Sequence, residues 1–118
     1  MKTVIKTLAL AIMVLLITKS TFAQETKKVD EIKILTSAVC GMCKDRIEQN
    51  IAFEKGVIDV VLDLDTKIAT IKYKTSKTNS DNLRLALSKL GYDADSVAAD
   101  KVAYEKLPPC CKKGNEKH

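Results

Sequence analysis

The sequence predicts an α+β fold in the order strand, helix, strand, strand, helix, strand, with two helices on one face of an antiparallel four-stranded sheet. Three observations predict it. The runs "VIDVVLDLD" and "KIATIKYK" each alternate apolar and polar residues and are separated by a short polar connection, which marks a hairpin. The runs "GMCKDRIEQNIAFEKG" and "DNLRLALSKLG" switch to helical spacing, and each closes on a glycine. Extended segments precede the first helix and follow the second, so both helices have a common sheet face to cover.

The elements follow in order. Met1 to Ala23 begins with Lys2 and Lys6, continues through the uncharged apolar run Leu8 to Ile17, and ends with small residues at Thr21 and Ala23. A run of about ten apolar residues falls well short of the ~20 needed to span a bilayer. The stretch reads as a secretory signal at 1–23, cut after Ala23, with an uncleaved N-terminal anchor as the other reading. After a polar lead at 24–28, "VDEIKILTSAV" alternates at Ile32 and Ile34 and predicts the first strand. Cys43, Ile47, Ile51 and Glu54 then share one helical face, and Gly56 is expected to end that helix. In the hairpin, Ile58, Val60, Leu62 and Leu64 are expected on one side, opposite Asp59, Val61 and Asp63, with Ala69, Ile71 and Tyr73 inward on the return strand. Thr78 or Ser80 is expected to cap the second helix, whose stripe is Leu83, Ala86, Leu87 and Leu90. "DSVAA" predicts a short fourth strand at the sheet edge. Asp100 is placed to cap a last short helix, "KVAYEKL", before Pro108-Pro109 and a polar tail expected to be mobile. This order is the split β-α-β arrangement of a ferredoxin-like sandwich.

Composition excludes several functions. The chain has 20 basic and 15 acidic residues; three of the lysines lie in the signal, so residues 24–118 carry 17 basic against 15 acidic, a net charge of +2. Lysines and acids are interleaved, and Phe53, Tyr73, Tyr92 and Tyr104 are the aromatics that remain, which is neither the charge stripe nor the stacking platform of a nucleic-acid binder. No Ser/His/Asp set exists to support a hydrolase, and the single histidine, His118, stands at the chain end. The 95 residues after Ala23 suffice for one small domain.

The chemistry lies in cysteine. In "SAVCGMCKDRIEQN", Cys40 falls in the loop after the first strand and Cys43 in the first turn of the first helix. Unpaired backbone N–H groups and the helix dipole there favour thiolate over thiol, and Lys44 and Arg46 are expected to add to that. Two thiolates on a Gly-Met hinge suit a soft cation: Cu(I), Hg(II), Cd(II) or Zn(II). The same spacing also serves thiol–disulfide redox chemistry, and four exported cysteines also fit a small disulfide-stabilised interaction module. Against the redox reading, both prolines stand together at 108–109, and the element order has an early hairpin. Cys110 and Cys111 are poor partners for each other, because neighbouring Cα atoms are ~3.8 Å apart and a disulfide needs about 4.4–6.8 Å. We expect the tail to fold back so that one or both join Cys40 and Cys43; a tail-to-loop disulfide or a second separate site is the other reading.

Strand, Cys40-Gly41-Met42-Cys43, helix, hairpin, helix and "KLGYDADSV" together resemble the heavy-metal-associated domain of copper chaperones, copper-exporting ATPases and the periplasmic mercury-binding protein, over residues 29–100. The resemblance implies a non-enzymatic periplasmic or secreted carrier or scavenger, with Cu(I) as favoured cargo and a metal-transporting membrane ATPase or another metal acceptor as partner. It also implies that Tyr92 shields the metal loop, although a capping aromatic at a helix end fits the same position. Where the family has Met two residues before the first cysteine, this chain has Ala38; its nearby methionine, Met42, lies between the cysteines and offers a thioether.

Overall fold

The computed structural model describes residues 28–114; the signal expected at 1–23 with its cut after Ala23, most of the polar lead, and His118 lie outside the described residues. Strand β1 (Val29–Leu35) leads to helix α1 (Gly41–Ile51), then β2 (Val57–Asp63), β3 (Ile68–Lys74), helix α2 (Ser80–Leu90), a short α3 (Lys101–Glu105) and a 3-10 turn at Pro109–Cys111. The sheet order is β1-β3-β2 and both pairings are antiparallel. Ile32 and Val60 flank Ile71 on its two sides. Ile34, Val60, Leu62, Ala69, Ile71 and Tyr73 of the sheet bury against Ile47, Ile51, Leu83 and Leu87 of the helices. Each large apolar side chain so buried contributes roughly 1.5–3 kcal/mol.

The expected fourth strand is a correction. Among the described residues the sheet has three strands, and 94–97 makes only isolated bridges, Ala94 with Thr36 and with Val97. Ala94 and Val97 exchange both backbone hydrogen bonds at 2.9 Å, so the segment closes on itself as a tight turn and cannot run along the edge. Asp95, at φ 53°, then mimics one strand residue: its N–H donates to the Leu35 carbonyl at 2.8 Å and its Oδ1 accepts from the Leu35 N–H at 2.9 Å.

Three smaller differences have local causes. Ile58 is half exposed because a register shift between Val57 and Asp59 turns it outward, while Val60 and Leu62 stay in the core. Helix α1 ends at Ile51 rather than near Gly56, as Phe53 and Glu54 tighten onto Asn50 and Ile51 by i→i+3 bonds; Glu54 is exposed. Asn79, not Thr78 or Ser80, caps α2, its Oδ1 accepting from the Asn82 N–H at 2.8 Å. The tail is not loose up to Gly114: Leu107 and Cys111 are buried in the same core.

Strand β2 is an edge, and α1 covers it with charge. Lys44 Nζ donates to the Leu62 carbonyl at 2.7 Å, Glu48 Oε2 accepts from the Leu62 N–H at 3.0 Å, and the two side chains pair with each other at 2.9 Å. Both hydrogen-bonding groups of an inward-facing edge residue are thereby satisfied. Burial alone would push the Glu48 carboxyl up, but the Leu62 N–H and Lys44 more than offset it and hold it below its ordinary value of 4.5. Asp95 is lowered in the same way: burial opposes the charge, while Arg84 and the Leu35 N–H outweigh it. A depressed folded-state pKa adds stability that is present above the unfolded value and lost as pH falls. The apo protein is therefore expected to lose stability on acidification below about pH 4.5, and Glu48→Gln is expected to flatten that acid limb while lowering the unfolding free energy at pH 7 by about 1–2 kcal/mol; urea titrations between pH 3 and 7 check it.

Candidate metal centre

The loop that carries the first cysteine pair is built tightly. Thr36, buried, donates its hydroxyl to the Lys67 carbonyl at 2.8 Å and accepts from the Ala38 N–H at 3.2 Å. Ala38 is fully buried, so a small side chain fills the loop interior at that position. Ser37 Oγ accepts from the Asp93 N–H at 2.9 Å, tying this loop to the one after α2. Cys40 is the N-cap residue of α1 with extended backbone, and Cys43 lies one turn on, fully buried in the same stripe as Ile47 and Ile51.

A second route delivers the tail. Asp100 caps α3 through the Ala103 N–H at 3.0 Å, as expected from the sequence. Leu107 is then buried, Pro108 turns the chain, and the Cys111 N–H donates to the Pro108 carbonyl at 2.9 Å. Beyond it, Lys113 Nζ pairs with Asp93 at 2.6 Å and the Lys113 N–H donates to the Tyr104 hydroxyl at 2.9 Å.

The two routes meet at sulfur. Cys40 Sγ lies 3.2 Å from Cys43 Sγ, 3.2 Å from Cys110 Sγ and 3.6 Å from Cys111 Sγ. Cys110 and Cys111 sulfurs are 4.0 Å apart, and Met42 Sδ lies 3.9 Å from Cys110 Sγ. All four cysteines are free thiols. A tetrahedral site with metal–sulfur bonds of about 2.3 Å needs sulfurs roughly 3.8 Å apart; the sulfurs of Cys40, Cys110 and Cys111 all lie within 4.8 Å of one another, and Cys43 stands against Cys40. Cys40, Cys43 and Cys111 are 4% exposed or less, while Cys110 is half-buried and Met42 is exposed. The donor set is soft throughout, and fits thiophilic ions.

Electrostatics single out Cys40. Burial acts against its thiolate, yet the thiols of Cys43 and Cys110, the Cys43 backbone N–H and the Cys111 thiol bring its pKa down to about 7. The backbone contribution lends partial positive charge without closing a capping hydrogen bond. The expectation for Lys44 is corrected: it is engaged by Glu48 and the Leu62 carbonyl, and neighbouring thiols do the lowering. Hydrogen bonding to Cys40 raises Cys110, and burial followed by Cys43 raises Cys111. Tyr92 is fully buried; burial first, then Cys111 and Cys43, pushes its phenol strongly up, and its hydroxyl has no partner in hydrogen-bond geometry among the described residues. It is a buried neighbour of the Cys43 and Cys111 sulfurs.

Of the residues singled out in the sequence, the structure brings Cys40, Cys110 and Cys111 within 4.8 Å of one another, sets Cys43 against Cys40, and buries Tyr92 near Cys43 and Cys111. Sequence reasoning missed Ser37, Asp93 and Lys113, which join the two loops and the tail. Lone polar residues carry no spacing signal, and their pairing is legible only once the turns are folded.

Residues 37–93 match the model of the heavy-metal-associated domain. A copper-exporting P-type ATPase of Staphylococcus saprophyticus subsp. saprophyticus is 37% identical over 85 residues, covering 70% of this chain and 10% of its own length. The chain therefore spans about a tenth of that relative. Among solved structures, a CopZ metallochaperone superposes with a TM-score of 0.52 at 23% identity, over 55% of this chain and 98% of that one, which shows the fold. A copper form of CopA from Bacillus subtilis superposes with a TM-score of 0.52 at 26% identity, over 58% of this chain and 92% of that one.

In the reduced, metal-free protein, thiolate is expected to appear in separated steps. One thiol should ionise with a midpoint near pH 7, rising with pH, and Cys110 and Cys111 should follow only in more alkaline solution. Thiolate absorbance and the pH profile of alkylation, with Cys40→Ser removing the first step, measure this.

Proposed function

The chain carries a heavy-metal-associated domain at residues 37–93, and from that premise we propose that it is an exported, non-enzymatic carrier or scavenger of a soft metal ion, with Cu(I) as its favoured cargo. One observation carries the reading: Cys110 and Cys111 converge on Cys40, within 3.6 Å, from 70 residues away in sequence. A tail held merely as a structural appendix would not need to bring two more thiols onto the sulfur whose pKa is lowered to about 7. The set also accommodates Hg(II), Zn(II) or Cd(II), since each is thiophilic. Cys40 and Cys43 would hold the ion, with Cys110 and Cys111 completing the shell. Tyr92 would keep water from beneath it.

The chemistry asked of the protein is ligand exchange. A metal–thiolate bond can pass to an incoming sulfur as an outgoing thiolate leaves, with no net redox change, provided the ion can be approached. The half-buried Cys110 and exposed Met42 mark the accessible side. Similarity to copper-exporting P-type ATPases supports a metal-transporting membrane ATPase, or another metal acceptor, as the exchange partner. Export rests on the charged, apolar and small-residue pattern of Met1 to Ala23, and a periplasmic or secreted location follows from it. Among the described residues no helix is long and apolar enough to cross a membrane.

The test uses residues 24–118 under reducing, anaerobic conditions, titrated with Cu(I) and separately with Zn(II) against a competing chelator, beside a Cys110→Ser/Cys111→Ser variant. Tight Cu(I) binding is expected, with affinity falling by at least about tenfold, or ~1.4 kcal/mol, in the variant. Equal affinities would remove the tail from the site. If neither protein binds metal, the carrier reading fails.

A further inference from the structure

Cys40 has three sulfur neighbours, at 3.2, 3.2 and 3.6 Å, whereas Cys110 and Cys111 are 4.0 Å apart. One sulfur is the hub of the cluster and the others are its spokes. On the inner side Cys43 and Cys111 are essentially inaccessible, and on the outer side Cys110 is half-buried and in contact with the exposed thioether of Met42 at 3.9 Å. By burial the five soft donors divide about Cys40, with Cys43 and Cys111 on the inner side and Cys110 and Met42 on the outer side, and the sulfurs of Cys40, Cys110 and Cys111 all lie within 4.8 Å of one another.

From this geometry we infer that one chain holds two Cu(I) ions, bridged by the Cys40 thiolate, with the Met42 thioether as an outer ligand of the second ion. The inference rests on the soft-metal reading of the same four cysteines. Cu(I) is satisfied by two or three sulfurs, so a single ion has no use for five. Charge points the same way. Four thiolates around one Cu(I) would leave a net −3 in a largely buried site, a costly desolvation. Two Cu(I) ions leave −2, the same charge that one Zn(II) would leave with four thiolates. Filling the site with two ions releases to solvent the protons that the four thiols still carry, forms copper–sulfur bonds and changes no oxidation state. The bridging role falls to Cys40 because it alone contacts all three other thiols. Met42 suits the outer ion because a neutral thioether adds a bond without adding charge.

The experiment is native mass spectrometry of dilute, reduced residues 24–118 equilibrated with chelator-buffered Cu(I), with X-ray absorption on the fully loaded form. The expected result is a monomer carrying two copper ions, each in place of one proton at a given charge state, with a copper–copper vector in the absorption spectrum. The second copper should bind more weakly than the first. Met42→Leu preserves volume at an exposed position, so the fold is not at risk. It should widen the gap between the two binding steps by about tenfold, or ~1.4 kcal/mol, and Cys110→Ser should abolish the second step. Saturation at one copper per chain overturns the inference and leaves the carrier reading standing. Two coppers found only at the mass of a dimer overturn it too, as does a second step that Met42→Leu does not move. Absence of any copper binding overturns the carrier reading itself.

Discussion

The metal end of the molecule depends on a close approach between Gly91 and the segment that follows α3. Gly91 ends α2 at φ 108°, and a Cβ there would stand 3.0 Å from the Ala103 carbonyl oxygen and 3.1 Å from Leu107 Cγ. Bare backbone at this point lets α3 sit against the end of α2 and lets Leu107 reach the core. From Leu107 the path is short: Pro108 and Pro109 fix the direction, one 3-10 turn follows, and the two tail sulfurs arrive beside Cys40. The same glycine sets the turn that buries Tyr92. A side chain at position 91 would disturb the tail and the floor of the sulfur cluster together.

What the sequence made legible follows from how local each signal is. The two-residue period of Val60 and Leu62, and of Ala69, Ile71 and Tyr73, marks inward faces that the core confirms, as does the helical stripe through Cys43, Ile47 and Ile51. The Asp100 cap was legible because a carboxylate three residues ahead of an N–H is a local motif. Ile58 was misplaced because alternation assumes an unbroken ladder, and a register shift leaves no mark in the period. The fourth strand was misread for a related reason. "DSVAA" has strand-like composition, but Asp95 takes a left-handed conformation and uses its own carboxylate where a strand would use backbone. The sulfur cluster was half legible. Cys-x-x-Cys at a helix start is local, whereas the meeting of Cys110 with Cys40 depends on a chain reversal around Gly91 that no spacing rule encodes.

The tail is attached by interactions of graded strength, and that grading bears on how a metal would be held. Leu107 and Cys111 are buried and belong to the core; the Lys113–Asp93 pair at 2.6 Å lies nearer the surface, and Lys112 reaches Glu105 only at 3.9 Å. Exposed ion pairs of this kind contribute about 0–1 kcal/mol each. The segment after Cys111 is therefore pinned weakly and the segment before it firmly. A metal bond to Cys110 or Cys111 would close a loop whose ends are already together, so little chain entropy remains to be lost on binding.

That preorganisation has a consequence for exchange. On the proposed reading, tail thiols act as ligands at high effective concentration, and they compete with any acceptor sulfur for the same ion. Retention rises with each sulfur that stays close, yet a carrier must also release. The burial pattern resolves the tension, because the cluster is not closed evenly: Cys43 and Cys111 are sealed beneath, beside Tyr92, whereas Cys110 is half-buried and lies next to Met42 at the surface. An acceptor would displace Cys110 first, with little disturbance of the core, and reach the inner sulfurs only after an outer bond has changed hands. A two-thiol loop would hold the ion less tightly and expose it from the start. The tail thus shifts the protein towards retention, and the exposed side of the cluster sets where that retention ends.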